Sequence, residues 1–400
     1  MEKKFICLHF HIHQPVQFNQ YRFFDIGKNH IYADDFTNRF YIEKMAQKCY
    51  LPMNNLILEL IKKYGKEFKV SFSISGIIIE ELLKYAPEVI KSFKKLANTG
   101  SVEFLSETYS HSLTSIVDSK EFKKQVEKHN DIMKEVFDIK PKAFVNTDFI
   151  YSDEIGDTIA KMGYKTILTE GAKHILGWKS PNFVYANPIN PKLKLLLRNF
   201  RLSDDISLRF SNKEWSDWPL SAEKYADWLI DSAKNDDVIN LFMDYETFGE
   251  YQSADSGIFD FMYHLPEHIL KSRKLEFVTP SQAASKLQTC APLHVPYPIS
   301  GIDEERDTSA WLGNSLQKEA FEELNAISDR VYKTKDETII KDYNYLQESN
   351  HLYYMSTKLF SDGGICHQNS PYSSPYDAFI NYMNILSDLI VRLERIESKK

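Results

Sequence analysis

The stretch FICLHFHIHQP, residues 5–15, alternates apolar side chains with imidazoles and then stops at a proline. Side chains of a β-strand point to opposite faces in turn, so the apolar residues share one face and His9, His11 and His13 share the other. A row of imidazoles is not needed to pack a buried strand. The segment therefore predicts a buried strand whose carboxyl end carries polar groups.

Similar apolar runs recur along the chain and are predicted as strands at 69–75, 102–106, 143–148, 166–169, 194–199, 238–244 and 276–279. Helical patterns lie between them, including 54–63, 80–97 and a helix for which Ser152 is the expected N-cap. Strands that alternate with helices favour parallel pairing, and seven or eight such units favour a barrel over an open sheet. No G-x-G-x-x-G turn follows any of these runs, which disfavours a dinucleotide-binding sheet.

After the Pro-rich connection that begins near residue 292, the strand patterns end and helical patterns replace them. The last helix is predicted to begin at Ser374-Pro375, and its apolar stripe is expected to pack on the barrel. The stripe consists of Phe379, Met383, Leu386, Ile390 and Leu393. We therefore predict an α/β protein with a barrel in residues 1–290 and a C-terminal helical region in residues 291–400.

Composition argues against several classes of protein. The 400 residues carry a net charge of −7 without a basic stripe, so nucleic acid is not an expected partner. No apolar run approaches the roughly 18 residues of a membrane span, and the first residues do not resemble a signal peptide, so we expect no membrane partner and a cytoplasmic location. The four cysteines lack C-x-x-C spacing and indicate neither a zinc knuckle nor a disulfide framework. The sequence leaves the oligomeric state open.

Acidic residues lie in or at the ends of three predicted strands. The run VINLFMDYETFGE ends its apolar part on Asp244, with Glu246 two residues later, while AFVNTD ends on Asp148 and GSVEF contains Glu103. Catalytic groups of barrel enzymes lie at the carboxyl ends of strands, and closely spaced carboxylates raise one another's pKa, which suits a general acid. The simpler alternatives are a solvated acidic loop at residues 244–250 and a polar turn residue at Asp148.

The imidazole row has three interpretations: a zinc site, contacts to the hydroxyl groups of a polar ligand, or histidines whose hydrogen bonds are satisfied within the core. Two or three carboxylates and a histidine cluster at one barrel mouth suit glycoside hydrolysis, which needs one acid and one nucleophile or base. Sugar sites also use aromatic platforms. The candidates in loop regions are Trp178, Trp215, Trp218 and Trp311.

Five motifs, HIHQPV, GSVEF, NTDFIYSDEI, MDYETFGE and EERDTSAWLGN, resemble the signature regions of glycoside hydrolase family 57 in order and spacing. The segments LQESNHLYYMSTKLFSDG and SPYDAFINYMN are also similar to its amylase-type members. The resemblance implies an incomplete (β/α)₇ barrel of the TIM type followed by a helical region. It also implies an alpha-amylase or 4-alpha-glucanotransferase activity on alpha-glucans or maltooligosaccharides, a retaining double displacement, and no metal or other cofactor.

By this resemblance Asp244 is the expected general acid/base. The residues expected to line or contact the central sugar subsite are His11, His13, Glu103, Glu246, Asp307 and Trp311. The expected nucleophile falls on Asp148, where the chain departs from the family, which has glutamate in an N-T-E context. An Asp oxygen reaches about 1.5 Å less far from the Cα than a Glu oxygen.

The shorter side chain matters because retaining enzymes hold their carboxylates roughly 5–5.5 Å apart and inverting enzymes roughly 6.5–9.5 Å apart. Three alternatives therefore remain for Asp148. It is either a working nucleophile on a shifted backbone, or a residue too short to support turnover, or one partner of a wider, water-activating pair. The leading hypothesis is a retaining alpha-glucan-active enzyme. The alternative is a catalytically impaired alpha-glucan-binding protein. A third interpretation, a zinc hydrolase that uses His9, His11 and His13, predicts a metal that we do not expect.

Overall fold

The computed structural model describes residues 4–358 and 370–398, so Cys366 and the last residues of the LQESNHLYYMSTKLFSDG motif lie outside the described residues. The strands are β1 Lys4–Ile12, β2 Val70–Ile74, β3 Val102–Phe104, β4 Phe144–Val145, β5 Thr166–Glu170, β6 Tyr185–Ala186, β7 Lys194–Arg198, β8 Val238–Asp244, β9 Phe248–Gly249, β10 Gln252–Ser253, β11 Leu275–Phe277 and β12 Ala291–Pro292. All eight predicted strands are confirmed, although several are shorter than their apolar runs.

The α-helices between the strands are α1 Asp35–Met45, α2 Leu51–Tyr64, α3 Gly76–Tyr85, α4 Pro87–Ala97, α5 Ser119–Phe137, α6 Asp153–Lys161, α7 Lys173–Leu176, α8 Phe200–Ser207, α9 Ala222–Ser232, α10 Ile258–Ser272 and α11 Pro280–Lys286. The helices after the last strand are α12 Ser309–Leu312, α13 Ser315–Ala326, α14 Ser328–Thr334, α15 Glu337–Leu346, α16 Ser349–Tyr353 and α17 Pro375–Glu397. Among the described helices, none combines the length and the apolar character needed to cross a membrane.

The strands form two five-stranded sheets and a two-stranded pair of β9 and β10. Every neighbouring pair is parallel except β6 and β7. In the first sheet β1 pairs with β2, β8 and β11, and β2 also pairs with β3. The second sheet has the order β12-β6-β7-β5-β4. Every residue of β2 and of β5 is buried, as expected for parallel strands covered on both faces. The predicted α/β class with parallel pairing is thus confirmed.

Individual hydrogen bonds join the two five-stranded sheets at two places. Beyond β3, the Ser106 amide donates to the Ala143 carbonyl at 3.0 Å, and the Val145 amide of β4 donates to the Ser106 carbonyl at 2.9 Å. Between β7 and β8, the Asn199 amide donates to the Asn240 carbonyl at 2.9 Å. In the described part of the chain these bonds do not extend into ladders that close a barrel.

Two capping residues agree with the sequence prediction, and one predicted helix does not. The Ser152 hydroxyl accepts from the Ile155 amide at 3.3 Å at the start of α6, and Ser374 caps α17. The predicted helix 80–97 is wrong as a single element, because α3 ends at Tyr85 and α4 begins at Pro87. Proline lacks an amide hydrogen and its ring clashes with the preceding turn, so it starts a helix rather than continuing one.

The helices after β12 share a hydrophobic core with the second sheet. Trp311 of α12 and Leu386 of α17 belong to the same buried cluster as Phe144 of β4 and Leu195 of β7. Burial of the apolar stripe of α17 against this cluster is the packing expected of an amphipathic helix. The division of the chain at residue 290 stays a prediction.

Candidate active site

A pocket of about 360 Å³ lies where β7, β8 and the turn after β4 end, and both Asp148 and Asp244 line it. We call it the acidic pocket. Its walls include Phe149, Arg198, Phe200, Asp204, Arg209, Phe242, Tyr251 and Arg306. Two carboxylates that are 96 positions apart in the chain therefore face one cavity, because their strands end at the same side of the fold.

Asp244 is the last residue of β8 and stands in register with His11 of β1. Its side chain is reached by solvent from the pocket, yet protein surrounds it on the other sides. This partial burial, and then the nearby Asp148 carboxylate, raise the pKa of Asp244 to about 6, while Arg198 and His111 act in the opposite direction. A carboxyl group with such a pKa keeps a useful protonated fraction near neutral pH, as a general acid requires.

Asp148 lies in a tight turn rather than at the end of a long strand. The turn Thr147–Phe149 follows the two-residue strand β4, and Asp148 has a left-handed backbone with φ 48°. Aspartate tolerates this conformation better than most residues. The Gly301 amide donates to the Asp148 carbonyl at 2.7 Å, and the Thr169 hydroxyl donates to the Phe149 carbonyl at 2.9 Å. The backbone at the candidate nucleophile is therefore held on both sides.

Left-handed backbone conformations are concentrated around this pocket. His111, Phe149, Asp303 and Arg306 also have positive φ values, and all but His111 line the acidic pocket. Non-glycine residues in this region carry strain that the surrounding structure must support, and such residues cluster at functional sites. These positive φ values are an observation independent of the two carboxylates, and they also indicate the acidic pocket as the functional site.

The imidazole row pairs with a row of serines on β2. His9 is fully buried and contacts the Ser71 and Ser73 hydroxyls at 3.1 and 3.2 Å, so it is a satisfied core histidine. His11 Nδ1 is 2.8 Å from the Ser73 hydroxyl, and His13 Nδ1 is 2.8 Å from that of Ser75. The predicted shared face is confirmed. A zinc site built from the three histidines is not supported, because both ring nitrogens of His9 are already occupied.

Two residues that follow β3, Glu107 and His111, lie beside the imidazole row. The His111 ring stacks on those of His11 and His13, with centroids 4.8 and 4.3 Å apart, and His111 Nε2 is 3.4 Å from Asp148 Oδ2. Burial lowers the pKa of His111, but the Asp148 and Glu107 carboxylates raise it further, to about 10. Burial raises the pKa of Glu107 to about 7, opposed by His111.

Glu246 and His13 line a separate cavity of about 90 Å³, which is adjacent to the acidic pocket because Tyr251 lines both. The chain leaves the strand direction after Asp244, so Glu246 turns away from the acidic pocket. Its carboxylate accepts from the Tyr50 hydroxyl and from the Gln14 amide. Burial, and then Asp244, raise the pKa of Glu246 to about 8.

A buried network of two arginines and two acids forms one wall of the acidic pocket, and residue patterns alone did not single it out. Arg198 Nη1 lies 3.3 Å from Glu170 Oε2, and Arg198 also pairs with Asp204. Arg306 Nη1 lies 3.6 Å from Glu170 Oε2. Glu170 and Arg198 are the last residues of β5 and β7, and each lies one position from the end of the predicted strand, so the rule that selected Asp148 and Asp244 could have found them.

Three residues that the resemblance assigned to sugar contacts lie elsewhere in the described structure. Glu103 accepts from the amide of Ser281 at 3.0 Å and from its hydroxyl, at the start of α11. Asp307 Oδ1 accepts from the Ser309 amide at 2.8 Å, at the start of α12. Trp311 is 1% exposed and packs in the second core. Their polar or aromatic groups serve helix starts and packing, so we do not assign them to the site.

Of the other predicted aromatic platforms, one adjoins the acidic pocket. Trp215 and Trp228 line a cavity of about 770 Å³, which shares Phe200 and Arg209 with the acidic pocket. Trp178 is 93% exposed and lines neither cavity in the described structure. A chain-like ligand in the acidic pocket would have a route along the shared wall to the tryptophan-lined cavity.

Comparison with known proteins identifies a family for this chain. Residues 7–296 match the sequence model of glycosyl hydrolase family 57. A protein described as "Putative alpha-amylase" from Methanocaldococcus jannaschii is 42% identical over 410 residues, covering 98% of this chain and 86% of the relative.

Solved structures share the fold at low sequence identity. A GH57-type branching enzyme from Pyrococcus horikoshii superposes with a TM-score of 0.68 at 14% identity, covering 100% of this chain and 92% of that one. A 4-alpha-glucanotransferase from Thermococcus litoralis superposes with a TM-score of 0.64 at 16% identity, covering 88% of this chain and 56% of that one. This chain therefore corresponds to little more than half of the glucanotransferase.

Proposed function

The chain belongs to glycosyl hydrolase family 57, and on that premise we propose that it hydrolyses or transfers alpha-linked glucosyl units of alpha-glucans or maltooligosaccharides. The activities named for its relatives, an alpha-amylase, a 4-alpha-glucanotransferase and a branching enzyme, support this substrate class. The observation that carries the proposal is the pair of carboxylates, Asp148 and Asp244, in one pocket with the pKa of Asp244 raised to about 6.

In the proposed mechanism Asp244 protonates the glycosidic oxygen while Asp148 attacks the anomeric carbon and forms a glycosyl ester. Asp244, now ionised, then removes a proton from water or from an acceptor sugar, which displaces Asp148 and restores the configuration of the anomeric carbon. We propose that His111, whose Nε2 atom lies 3.4 Å from Asp148 Oδ2, orients the attacking carboxylate. Hydrolysis and transfer differ only in which acceptor reaches the intermediate.

His11 and His13 lie beside these groups, and we propose that they contact the hydroxyl groups of the bound sugar, with Glu246 facing the adjoining small cavity. We also propose that the two sheets together form the incomplete (β/α)₇ barrel that the sequence predicts, since hydrogen bonds join β3 to β4 and β7 to β8. In that arrangement Asp148 and Asp244 lie at the carboxyl ends of barrel strands, where such folds carry their chemistry.

The test is product analysis with purified protein and maltooligosaccharides of defined length. We expect release of reducing sugar or redistribution of chain lengths, with retention of the alpha configuration by NMR. Asp148→Asn and Asp244→Asn should each abolish turnover. Asp138→Asn, at another left-handed aspartate that lies at the end of α5, is the matched control and should leave activity unchanged.

The alternative function is that of a catalytically impaired alpha-glucan-binding protein, and the shorter side chain of Asp148 favours it. It predicts that maltooligosaccharides bind while turnover stays at background and is unaffected by Asp244→Asn. Trapping the intermediate with a fluorinated glycosyl fluoride separates the two functions. A covalent adduct on the peptide that contains Asp148 supports the enzyme, whereas binding without an adduct supports the alternative.

A further inference from the structure

His11, Glu107 and His111 form a compact buried cluster next to the acidic pocket. Each offers a nitrogen or oxygen atom, and these atoms all lie within 4.8 Å of one another. His11 is near the carboxyl end of β1, while the other two lie on the segment after β3, four positions apart. Glu107 and His111 are 1% and 4% exposed, so solvent barely reaches them.

Four polar atoms of this cluster lack hydrogen bonds. His11 Nε2, both carboxylate oxygens of Glu107 and His111 Nδ1 are buried without a hydrogen-bond partner among the described residues. Glu107 Oε1 lies 3.8 Å from His11 Nδ1, and Glu107 Oε2 lies 3.7 Å from His111 Nδ1, and both separations exceed hydrogen-bond distance. Native proteins rarely leave several buried polar atoms unpaired in one place, so an ion or a bound solvent molecule is the expected partner.

The opposite ring nitrogens are already engaged. His11 Nδ1 meets the Ser73 hydroxyl at 2.8 Å, and His111 Nε2 lies 3.4 Å from the Asp148 carboxylate. Histidines that bind metals characteristically hold their second nitrogen in this way, because it fixes the tautomer and the ring orientation. His111 Nδ1 is therefore left to face Glu107, and the ring of His11 keeps its Nε2 atom without a partner.

We propose that His11, Glu107 and His111 bind a divalent cation of the zinc class and leave at least one coordination position for solvent. Two imidazoles and one carboxylate are a recurring donor set for zinc sites with an open position. Zinc bonds of about 2.0–2.2 Å place the ligands roughly 3.4 Å apart, so binding would draw the three groups together by about 1 Å. Small side-chain rotations can supply that movement.

This site differs from a zinc site built from the three β1 histidines, since it uses only His11 from that row. It also goes beyond the proposed glycosidase chemistry, which needs no metal. The cation would fix the ring of His111 and thereby the group beside Asp148. A proton on His111 between the Glu107 and Asp148 carboxylates is the competing arrangement, and it predicts no metal.

The test measures metal binding directly, so its outcome does not depend on glucan turnover. The purified full chain is treated with a chelator, dialysed and titrated with Zn²⁺ by calorimetry, and the bound metal is counted by mass spectrometry. Co²⁺ in place of Zn²⁺ reports the coordination by its visible absorption. We expect one equivalent of Zn²⁺ and a Co²⁺ spectrum of low coordination number.

Glu107→Gln keeps the side-chain volume and removes the charge, and it should weaken Zn²⁺ binding by at least about 100-fold. Glu348→Gln is the matched control, since Glu348 is an equally buried carboxylate 3.5 Å from His13 and outside the cluster. It should bind Zn²⁺ as the wild type does. If Glu107→Gln does not fold, Ser73→Ala replaces it, with an expected loss of roughly 10- to 100-fold through the ring of His11. No binding by the wild type, or equal binding by the wild type and the folded cluster variant, overturns the proposal.

Discussion

Replacing Asp148 with glutamate separates a working nucleophile from a decayed one. Asp148 has φ 48°, and its carbonyl accepts a 2.7 Å hydrogen bond from the Gly301 amide. The backbone therefore has little freedom to move away from the pocket to accommodate a longer side chain. Glutamate would extend the carboxylate by about 1.5 Å. If the pocket is built for aspartate, a misplacement of about 1 Å lowers kcat roughly a hundredfold.

The assay is the initial rate of reducing-sugar release from a maltooligosaccharide, with thermal unfolding measured on the same samples. Glutamate is less suited than aspartate to a left-handed backbone, so Asp148→Glu should also lower the free energy of unfolding by about 1 kcal/mol. Asp138→Glu, at φ 57° and outside the pocket, is the control: it shares the backbone conformation and should keep the wild-type kcat. A rise in kcat for Asp148→Glu would refute the reasoning, because it would show that the native side chain is too short.

The value of kcat/KM should be highest below the pKa of Asp244, which is about 6. Above that pH it should fall about tenfold per pH unit, because the general acid loses its proton. A flat profile from pH 5 to 8 would contradict this role of Asp244. Glu103→Gln should lower the free energy of unfolding by about 1 kcal/mol, because one hydrogen bond to Ser281 at the start of α11 is lost. KM for maltooligosaccharides should stay unchanged. A large rise in KM would show that Glu103 contacts the sugar. Trp215→Ala should raise KM for long maltooligosaccharides about fivefold, which corresponds to a loss of about 1 kcal/mol of stacking, and leave KM for short ones unchanged. Trp178→Ala is the control and should leave KM unchanged for all lengths. An equal effect of both variants on all lengths would contradict binding of long chains in the tryptophan-lined cavity.

Much of the fold was predictable from local patterns. A buried parallel strand is a short apolar run wherever it occurs, so every long strand was recognised. The helix starts at Ser152 and Ser374 were predictable for the same reason, since an N-cap depends on residues within one turn. The break at Pro87 was also local and could have been predicted from the proline itself.

The site was predictable only where strand periodicity extends to the functional residue. His11 and His13 follow the alternation of β1, and Asp244 ends β8, so their positions were deducible. The alternation ends at Phe104 in β3 and at Val145 in β4. Beyond those points backbone turns decide the direction of each side chain, which is why strand periodicity did not identify Glu107. Glu103 was assigned to the sugar site by the family resemblance.

The sequence by itself determined the parallel α/β class, the row of imidazoles on one face of β1 and the family, because these depend on periodicity and motif order. Only the tertiary structure decided which polar groups meet. It placed Trp311 in the core, Glu103 at a helix start, and Glu107 and His111 against His11. The physical reason is that these contacts depend on left-handed turns and on pairing between distant strands, and neither is specified by the residues within any one segment.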